Sequence, residues 1–501
     1  MPAFVGCDLG TMGTKAAVVD EDGEILGEHF EEVPLRSPAP GHVEQDLVEI
    51  EASAHRAVRA ALDRSGRAGD VAGVAFSGQM SGIGSIDERF EPAAQFDSWL
   101  DTRCEPQIVR MQEASELVTR LSGCPPTYSH GPKILWWRDE RPDDFERIER
   151  FVVPGAYVAG RLCGLQADEA FVDRTYIHFS NLADTAASRW SPELLDAFGV
   201  DDSNLPRIVG PLDVVGEVTA EAAERTGLAP GTPVAAGAGD QAAASLGAAV
   251  VDAGQAFDSA GTASVFAMCV AEFSPDVRLN TLVASHSVVD GVFISLAFIN
   301  GGGLALRWFR DELAPELARE RDSYATLDRW AQEVEPGAGG LLWYPHVQGG
   351  VLPPNPHARG AWVGLTSAHS RGHLFRAILE GIAFEYAHWA ALAPVELAEA
   401  RALGGGAGSA LWNQIKADVL GIDWVPMVRQ ECGVLGDALI AAAATGHVDD
   451  LRETARRWQE TAEPVRPDPE RHREYARLAD AYRLLGDQLQ PVFEQLGERS
   501  G

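Results

Sequence analysis

The first hydrophobic pattern is a pair of apolar runs within residues 4–20 that flank a short loop with two glycines and two threonines. This pattern predicts a strand, a tight turn and a returning strand. Asp8 ends the first strand, and Thr11, Thr14 and Lys15 follow it. Because loop glycines leave backbone N–H groups free to face an anion, the hairpin suits a phosphate, with Asp8 suited to a metal-bound water. An ordinary Gly-rich hairpin is the alternative.

Two further apolar runs predict buried strands that each end in a Gly-rich turn. Residues 71–76 lead into Ser77-Gly78-Gln79-Met80-Ser81-Gly82, and residues 232–238 lead into Gly239-Asp240-Gln241. The carboxyl ends of strands are where α/β folds place ligands. Asp240 is therefore the best candidate for a catalytic carboxylate, with capping of the following helix as the alternative role.

The opening pattern recurs at residues 255–270, with Gly261 and Thr262 at the bend. The recurrence predicts a duplicated architecture in which each half supplies one phosphate-facing turn. A third Gly-rich turn lies within residues 403–414. It lacks the dinucleotide fingerprint with its downstream acidic residue, but its bare backbone permits the close approach of a base or a phosphate.

Helical periodicity predicts amphipathic helices at residues 46–64 and 373–392. The small residues between Gly433 and Gly446 predict a helix that packs tightly against its neighbours. The tail from about residue 463 is polar and charged, and we expect a solvated surface helix there.

Composition narrows the class of protein. A chain of 501 residues is too long for one core, and 46% apolar with 23% charged residues is ordinary for a globular protein. No apolar run is long enough to span a membrane, and no secretory signal is visible. The six cysteines lack metal-type spacing, so we expect free thiols and a cytoplasmic location.

The charge is unusual, with 74 acidic against 41 basic residues and a formal net charge of −33. This balance argues against nucleic-acid and anionic-membrane partners. The pattern resembles proteins of salt-loving microbes, in which salt screens self-repulsion. A merely acidic cytoplasmic protein is the alternative.

A short segment around Trp99 and Asp101 combines an aromatic face with hydrogen-bonding groups, among them Arg103. Such a combination suits sugar binding. A buried Trp beside a surface Asp–Arg pair is the plainer interpretation.

Together these motifs resemble the FGGY carbohydrate kinases of the actin-like ATPase superfamily, most closely their xylulokinase branch, up to about residue 450. Gly360-Ala361-Trp362-Val363-Gly364-Leu365 followed by His373–Glu380 is similar to the second family signature throughout. Lys133-Ile134-Leu135-Trp136 ends a partial match to the first signature, in which His130 and Trp137 stand where the family usually has other residues.

The resemblance implies an α/β fold with two actin-like (ribonuclease H-like) domains and a cleft between them. The expected boundaries are 1–245 for the sugar- and phosphate-binding domain, 246–450 for the nucleotide-binding domain and 451–501 for a helical extension. It further implies ATP and Mg²⁺ as cofactors, a small sugar as partner and, at the level of the family, a homodimer.

The resemblance also implies residue roles. Asp8 would serve the metal, and Asp240 would be the general base beside the sugar. The expected ATP contacts are Thr11, Thr14, Lys15, Gly261 and Thr262 at the phosphates and Gly405, Gly406 and Asn413 at the adenine. The expected sugar contacts are Gln79, Met80, Ser81, Trp99 and Asp101.

The substrate is less defined. Xylulokinases usually have a histidine where this chain has Ser81, and glycerol kinases have Arg-Glu at the positions of Met80 and Ser81. D-xylulose is the first candidate and another ketose or polyol the second. A non-catalytic sugar sensor and an actin-like ATPase with protein clients are the hypotheses from other classes.

Overall fold

The computed structural model describes residues 1–497. Its strands in chain order are β1 (Ala3–Leu9), β2 (Gly13–Asp20), β3 (Ile25–Glu32), β4 (Glu44–Gln45), β5 (Val71–Gly78), β6 (Ile83–Ile86), β7 (Pro92–Asp97), β8 (Arg150–Val152), β9 (Phe171–Asp173), β10 (Ala183–Asp184), β11 (Arg189–Trp190), β12 (Arg207–Val209), β13 (Val214–Glu217), β14 (Pro233–Ala235), β15 (Ala238–Gly239), β16 (Gln255–Ala260), β17 (Ser264–Val270), β18 (Val283–His286), β19 (Phe293–Ile299), β20 (Leu342–Tyr344), β21 (Gly350–Val351), β22 (Pro354–Asn355), β23 (Ala361–Val363), β24 (Glu399–Leu403) and β25 (Asp423–Pro426).

The α-helices in chain order are α1 (Leu47–Ser65), α2 (Glu105–Gln112), α3 (Ser115–Ser122), α4 (His130–Glu140), α5 (Pro142–Phe145), α6 (Pro154–Cys163), α7 (Pro192–Phe198), α8 (Ala220–Thr226), α9 (Asp240–Gly247), α10 (Gly302–Trp308), α11 (Ser323–Gln332), α12 (Arg371–Leu392), α13 (Ala410–Leu420), α14 (Cys432–Ala444), α15 (Leu451–Trp458) and α16 (Pro469–Gly497). None of these helices is both long and apolar enough to cross a membrane.

The chain folds into two compact units that interleave along the sequence. The first unit contains Met1–Val251, Ala271–Ile294 and Glu431–Gln459, and the second contains the stretches between and after them. The sequence-based division drew single boundaries at 245 and 450. A periodicity argument has no means of assigning residues 431–459 to the first unit, because that assignment depends on contacts with strands far away in the chain.

The main sheet of the first unit has the order β13-β14-β5-β1-β2-β3, and β15 also pairs with β5. Strands β1 and β2 form the predicted antiparallel hairpin, and β1 runs parallel to β5. The predicted strand, turn and returning strand at residues 4–20 are therefore confirmed.

Two glycines show which helix covers each face of this sheet. A Cβ on Gly6 would lie 2.0 Å from the Val434 carbonyl oxygen of α14, and a Cβ on Gly27 would lie 2.5 Å from the Ala61 carbonyl oxygen of α1. The strand register puts the two glycines on opposite faces. The backbones of α14 and α1 can thus approach opposite faces of the sheet closely.

The main sheet of the second unit repeats the motif. Its strands follow the order β19-β17-β16-β24-β25, with β16 and β17 in an antiparallel hairpin and β16, β24 and β25 parallel. Each unit therefore has a hairpin beside parallel strands, as the recurrence in the sequence predicted.

The predicted helices at 46–64 and 373–392 are α1 and α12. Asp46 caps α1 by accepting a hydrogen bond from the Val48 N–H, and Gly66 ends it in the left-handed conformation with φ of 64°. The small-residue helix is α14.

The expected C-terminal helix is present and largely exposed, but one face of it is buried, which the prediction of a solvated helix did not include. Helix α16 buries four large side chains, those of Tyr475, Tyr482, Leu485 and Phe493. The Tyr475 hydroxyl donates to Glu380 and accepts from Arg376, both within the second unit. The pattern was hard to recognise because hydroxyl-bearing aromatic residues are spread among many charged ones.

Candidate active site

Three strand ends meet in the first unit and bring two predicted carboxylates to one edge of the sheet. Asp8 on β1 is opposite Ser77 on β5, and Gly239 on β15 is opposite Gly78 on β5. Since β1 and β15 both run parallel to β5, Asp8 and Asp240 leave the sheet at the same end.

Asp240 is the first residue of α9, and Gly239 occupies the capping position. One carboxylate oxygen of Asp240 accepts the Gln241 N–H at 2.7 Å, and the Gly239 N–H donates to the Thr175 hydroxyl at 2.8 Å. Burial, and next the charge of Asp8, raise the pKa of Asp240 to about 7. A carboxylate with such a pKa is suited to accept a proton near neutral pH.

Asp8 and Lys15 face each other across the β1–β2 hairpin. Burial raises the pKa of Asp8 to about 6, against the lowering effect of a hydrogen bond from Ser77. The Lys15 ammonium pairs with Glu431 at 2.5 Å and Glu28 at 3.1 Å. Burial lowers the pKa of Lys15, but these two glutamates outweigh burial and raise it overall, so Lys15 is a permanent cation beside Asp8.

A third carboxylate, that of Asp437 on α14, lies at the same place. It is fully buried, and the Ser77 hydroxyl donates to its Oδ2 at 2.7 Å. The same hydroxyl lies 3.5 Å from Asp8 Oδ1. Burial, followed by the charge of Asp8, raises the pKa of Asp437 well above its usual value.

The two loop threonines differ in position. Thr14 pairs with Leu9 and points to the face that α1 covers, where its hydroxyl lies 2.6 Å from that of Ser53 and is 1% exposed. It is therefore directed away from the face of Lys15, because neighbouring strand residues alternate. Thr11 lies in the turn, where its hydroxyl accepts the Trp99 indole N–H at 2.8 Å.

The segment from Ser77 to Gly82 is held by buried contacts. The Gln79 side-chain amide donates to Gln45 at 2.7 Å, while its carbonyl oxygen is buried without a hydrogen-bond partner. Met80 packs so close to Gly239 that a Cβ there would lie 2.6 Å from the methyl carbon of Met80.

Lys133 explains how this segment keeps its shape. The ammonium of Lys133 is fully buried and donates to the Ser81 and Tyr128 carbonyl oxygens at 3.0 and 2.7 Å. Ser81 itself adopts a left-handed conformation with φ of 62°. The lysine of the first signature therefore fastens the segment that carries three of the predicted sugar contacts.

Of the two other predicted sugar contacts, Trp99 is partly exposed and Asp101 is fully buried. The Asp101 carboxylate accepts from the Arg103 guanidinium at 2.6 Å and from the Val43 N–H at 2.7 Å. These hydrogen bonds order the loop around Asp101. Because Asp101 is buried, it does not form the surface Asp–Arg pair that was the alternative interpretation of this segment.

The residues around Asp8 suit a divalent cation with oxygen ligands. A Cβ on Gly433 would lie 3.1 Å from Asp8 Oδ2, so the absence of a side chain at 433 leaves space beside that oxygen. The described residues include no group of three His, Cys, Asp or Glu side chains arranged for a metal. Mg²⁺ usually keeps several waters and binds only one or two carboxylates, so the Asp8 carboxylate and the space beside it suit this ion.

The second unit contains a cavity of about 450 Å³ that both of its predicted Gly-rich turns line. Gly261 and Thr262 come from the β16–β17 turn, and Gly405 and Gly406 come from the turn after β24. Its volume falls within the range of small-molecule and cofactor sites. The structure thus brings together two turns that are far apart in the sequence.

The β16–β17 turn is held by the start of α10. A Cβ on Gly303 would lie 1.9 Å from the Gly261 carbonyl oxygen, and the Leu304 N–H donates to the Thr262 carbonyl oxygen at 3.1 Å. The Arg307 guanidinium lies 3.5 Å from the Thr262 hydroxyl and adds a cation to the cavity lining.

Trp412 forms one wall of the cavity and rests on a buried ion pair. The Lys416 ammonium lies 3.6 Å from the centre of the Trp412 ring and pairs with Asp258, and both charged side chains are fully buried. Asn413 is also buried, and its amide donates to the Ala407 carbonyl oxygen at 2.8 Å. Its direct contact is therefore with the Gly-rich turn.

Sequence reasoning overlooked several residues of these sites. Asp437 was one of them, although an acidic residue within a run of small apolar ones, four positions after Gly433, is a signal that could have been noticed. Gly303 and Arg307 belong to a stretch that was recognised only as the start of a helix. Ser77 was noted only as part of its turn.

Fold and site together define a kinase with the mixed α/β fold of the actin-like ATPases. Residues 3–247 match the N-terminal domain model, and residues 258–445 the C-terminal domain model, of the FGGY family of carbohydrate kinases. The chain belongs to this family and is a sugar phosphotransferase.

Among its relatives, the xylulose kinase of Bacillus subtilis is 28% identical over 97% of both chains. The gluconokinase of Bacillus subtilis is 27% identical over 89% of this chain and 88% of its own. The solved xylulose kinase of Rhodospirillum rubrum superimposes with a TM-score of 0.90 at 28% identity, over 98% of this chain and 100% of its own. Plasmodium falciparum glycerol kinase, at 18% identity and a TM-score of 0.85 over 98% of both chains, shares the fold.

Proposed function

We propose that the protein transfers the γ-phosphoryl group of ATP to a hydroxyl of a small sugar, and that D-xylulose, giving D-xylulose 5-phosphate, is the first candidate substrate. The observation that carries this proposal is the meeting of Asp8 and Asp240 at one sheet edge of a family member. The relatives named xylulose kinase support the choice of sugar.

Asp240 is the general base in this proposal. Its carboxylate takes the proton of the attacking hydroxyl as the oxygen approaches the γ-phosphorus. The raised pKa of Asp240, about 7, makes it a stronger proton acceptor than an ordinary carboxylate. The Gln241 N–H orients the carboxylate through one oxygen, which leaves the other oxygen to accept the proton.

Asp8 holds the divalent cation, Mg²⁺ in the first instance, which when bound neutralises charge on the phosphate oxygens. Lys15 adds a positive charge on the same face of the hairpin. Of the two threonines, we propose only Thr11 as a phosphate contact, because Thr14 points to the face that α1 covers. In the second unit we assign the base and ribose to the cavity lined by Gly405 and Gly406. There the phosphates face Gly261 and Thr262.

The segment from Gln79 to Ser81 contacts the sugar, together with the exposed part of Trp99. The unpartnered carbonyl oxygen of Gln79 is an acceptor that a sugar hydroxyl would satisfy. Asp101 acts by holding the loop. With Ser81 in place of the usual histidine, one hydrogen bond to the sugar changes, so the choice among related substrates changes with it.

A coupled assay of ADP release tests the proposal. D-xylulose, D-ribulose, other ketoses, aldoses, polyols and gluconate are compared at low and high KCl, with Asp240→Asn as the variant. We expect ADP release that depends on one sugar and that falls by about 100- to 10,000-fold in the variant, because an amide cannot accept the proton of the attacking hydroxyl. Equal activity of the variant would refute the assignment of the base.

Gluconate is the second candidate substrate because a gluconokinase is nearly as similar as the xylulose kinases. The same sugar panel separates the two substrates. Sugar binding in a calorimeter without any ADP release would instead favour a sugar sensor. ATP hydrolysis without any sugar would favour an ATPase with other clients.

A further inference from the structure

Asp437 has a carboxylate oxygen that nothing in the described structure explains. The side chain is fully buried, and Ser77 occupies its Oδ2. Its Oδ1 is buried and has no hydrogen-bond partner among the described residues. Burying a polar oxygen without a hydrogen-bond partner is costly, and an ion or a water bound at such an atom removes that cost.

The position of Asp437 relates it to Asp8. Helix α14 packs on the face of β1 that carries Asp8, and the Ser77 hydroxyl lies between the two carboxylates, at 2.7 Å from one and 3.5 Å from the other. One helical turn earlier, Gly433 leaves space beside Asp8 Oδ2. Both carboxylates therefore border the same small region.

The described cations do not neutralise this region. Lys15 faces Asp8 across the β1–β2 hairpin, but its ammonium is shared with Glu28 and Glu431. No arginine or lysine among the described residues forms an ion pair with Asp437. A hard divalent cation would stabilise the charged form of carboxylates that lie together in a buried place, and carboxylate oxygens are its preferred protein ligands.

We propose that Asp437 is the second carboxylate of the divalent-cation site and that its free oxygen binds the cation or one of the cation's waters. The inference deepens the proposed function, because Asp8 is assigned to the same cation there. Asp437 thus gives this protein a two-carboxylate site on strand and helix, with Ser77 as the hydroxyl that orients both.

Binding of Mn²⁺, followed through the electron paramagnetic resonance signal of the free ion, tests this inference without any turnover. The full-length protein is titrated with MnCl₂ alone and with ADP present. The variants are Asp437→Asn, Asp8→Asn and Asp418→Asn. Asp418 is the matched control because it is also buried, but in the second unit, where it pairs with Arg471.

We expect Asp437→Asn and Asp8→Asn each to weaken Mn²⁺ binding by about 10- to 100-fold, as loss of a ligand or its supporting partner does in other metal sites. Asp418→Asn should bind as the wild type does. An affinity of Asp437→Asn within about twofold of the wild type, while Asp8→Asn is weakened, would overturn the inference. So would a wild-type protein that binds no Mn²⁺ with ADP present.

Asp437→Ala serves if Asp437→Asn does not fold, because alanine suits the interior of α14. The two proposals fail separately. If the wild-type protein binds Mn²⁺ through Asp437 but no sugar of the panel stimulates its release of ADP, the kinase reaction alone is refuted. A wild-type kinase in which Asp437→Asn leaves Mn²⁺ binding unchanged refutes the role of Asp437 alone.

Discussion

Gly303→Ala should damage nucleotide binding through the shape of one turn. The added Cβ would lie 1.9 Å from the Gly261 carbonyl oxygen, about 1.5 Å short of the 3.4 Å at which ordinary contact begins. The contact is with backbone, so no flexible side chain can move aside. The backbone at Gly303 does not have a positive φ, so steric displacement of the Gly261–Thr262 turn is the only effect expected.

The magnitude follows from that displacement. A misplacement of about 1 Å in groups that position a reacting phosphate can cost about 100-fold in rate, so we expect kcat/KM for ATP to fall by about that factor. Overpacking of this kind costs about 1–3 kcal/mol of stability. The KM for the sugar should change little, because its predicted contacts belong to the first unit.

Steady-state kinetics with varied ATP and with varied sugar measure the two kinetic effects, and urea unfolding measures the loss of stability. Calorimetric titration with ADP reports the damage to nucleotide binding directly. Gly408→Ala is the matched control, since it lies in the neighbouring Gly-rich turn and its Cβ would meet nothing within 4 Å. If Gly303→Ala kept the ATP kinetics and ADP affinity of Gly408→Ala, the assignment of the Gly261–Thr262 turn to the phosphates would be refuted.

Three further predictions concern stability. Lys416→Met leaves the Asp258 carboxylate buried without its cation and should lower the free energy of unfolding in urea by about 3–5 kcal/mol. Adding Asp258→Asn to the same chain should restore part of that stability. An unchanged free energy of unfolding in Lys416→Met would mean that the pair is dispensable. Burial, and next the charge of Lys133, lower the pKa of His130 to about 3, so the free energy of unfolding should fall as the pH drops from 6.5 towards 3. In chemical unfolding, His130→Asn should reduce the slope of that fall by up to about 1.4 kcal/mol per pH unit. Equal slopes for the variant and the wild type would contradict the prediction. The net charge of −33 predicts that the unfolding temperature rises between about 0.1 and 1 M KCl, because the screening length shrinks from about 10 to 3 Å over that range. An unfolding temperature that stayed constant or fell with KCl would count against adaptation to high salt.

Local signals in the sequence were sufficient for most of the fold. The hairpins at β1–β2 and β16–β17 follow from apolar runs around Gly-Thr turns, and α1 follows from its stripe, its Asp46 cap and Gly66. Asp240 could be singled out because it follows the end of a buried strand, where α/β folds place ligands. The substrate stays a prediction, since one altered hydrogen bond at Ser81 does not identify a sugar.

Side-chain direction was harder to predict. Thr14 and Lys15 are neighbours in the sequence, yet only Lys15 shares a face with Asp8, because strand residues alternate and α1 covers the other face. Asp101 is likewise of a residue type that often binds sugars, but its carboxylate oxygens accept hydrogen bonds from Arg103 and the Val43 N–H. Such outcomes depend on packing partners that lie tens of residues away.

By itself the sequence determined the element types, the duplicated hairpins, the family and two of the carboxylates, because these depend on periodicity and short motifs. Only the tertiary structure decided that α14, from the far end of the chain, packs against β1 and brings Asp437 to Ser77 and Asp8. It also decided that Gly303 packs directly against the Gly261–Thr262 turn, which we propose as the second phosphate turn. Both are contacts between distant segments, whose pairing depends on shape and burial rather than on any local pattern.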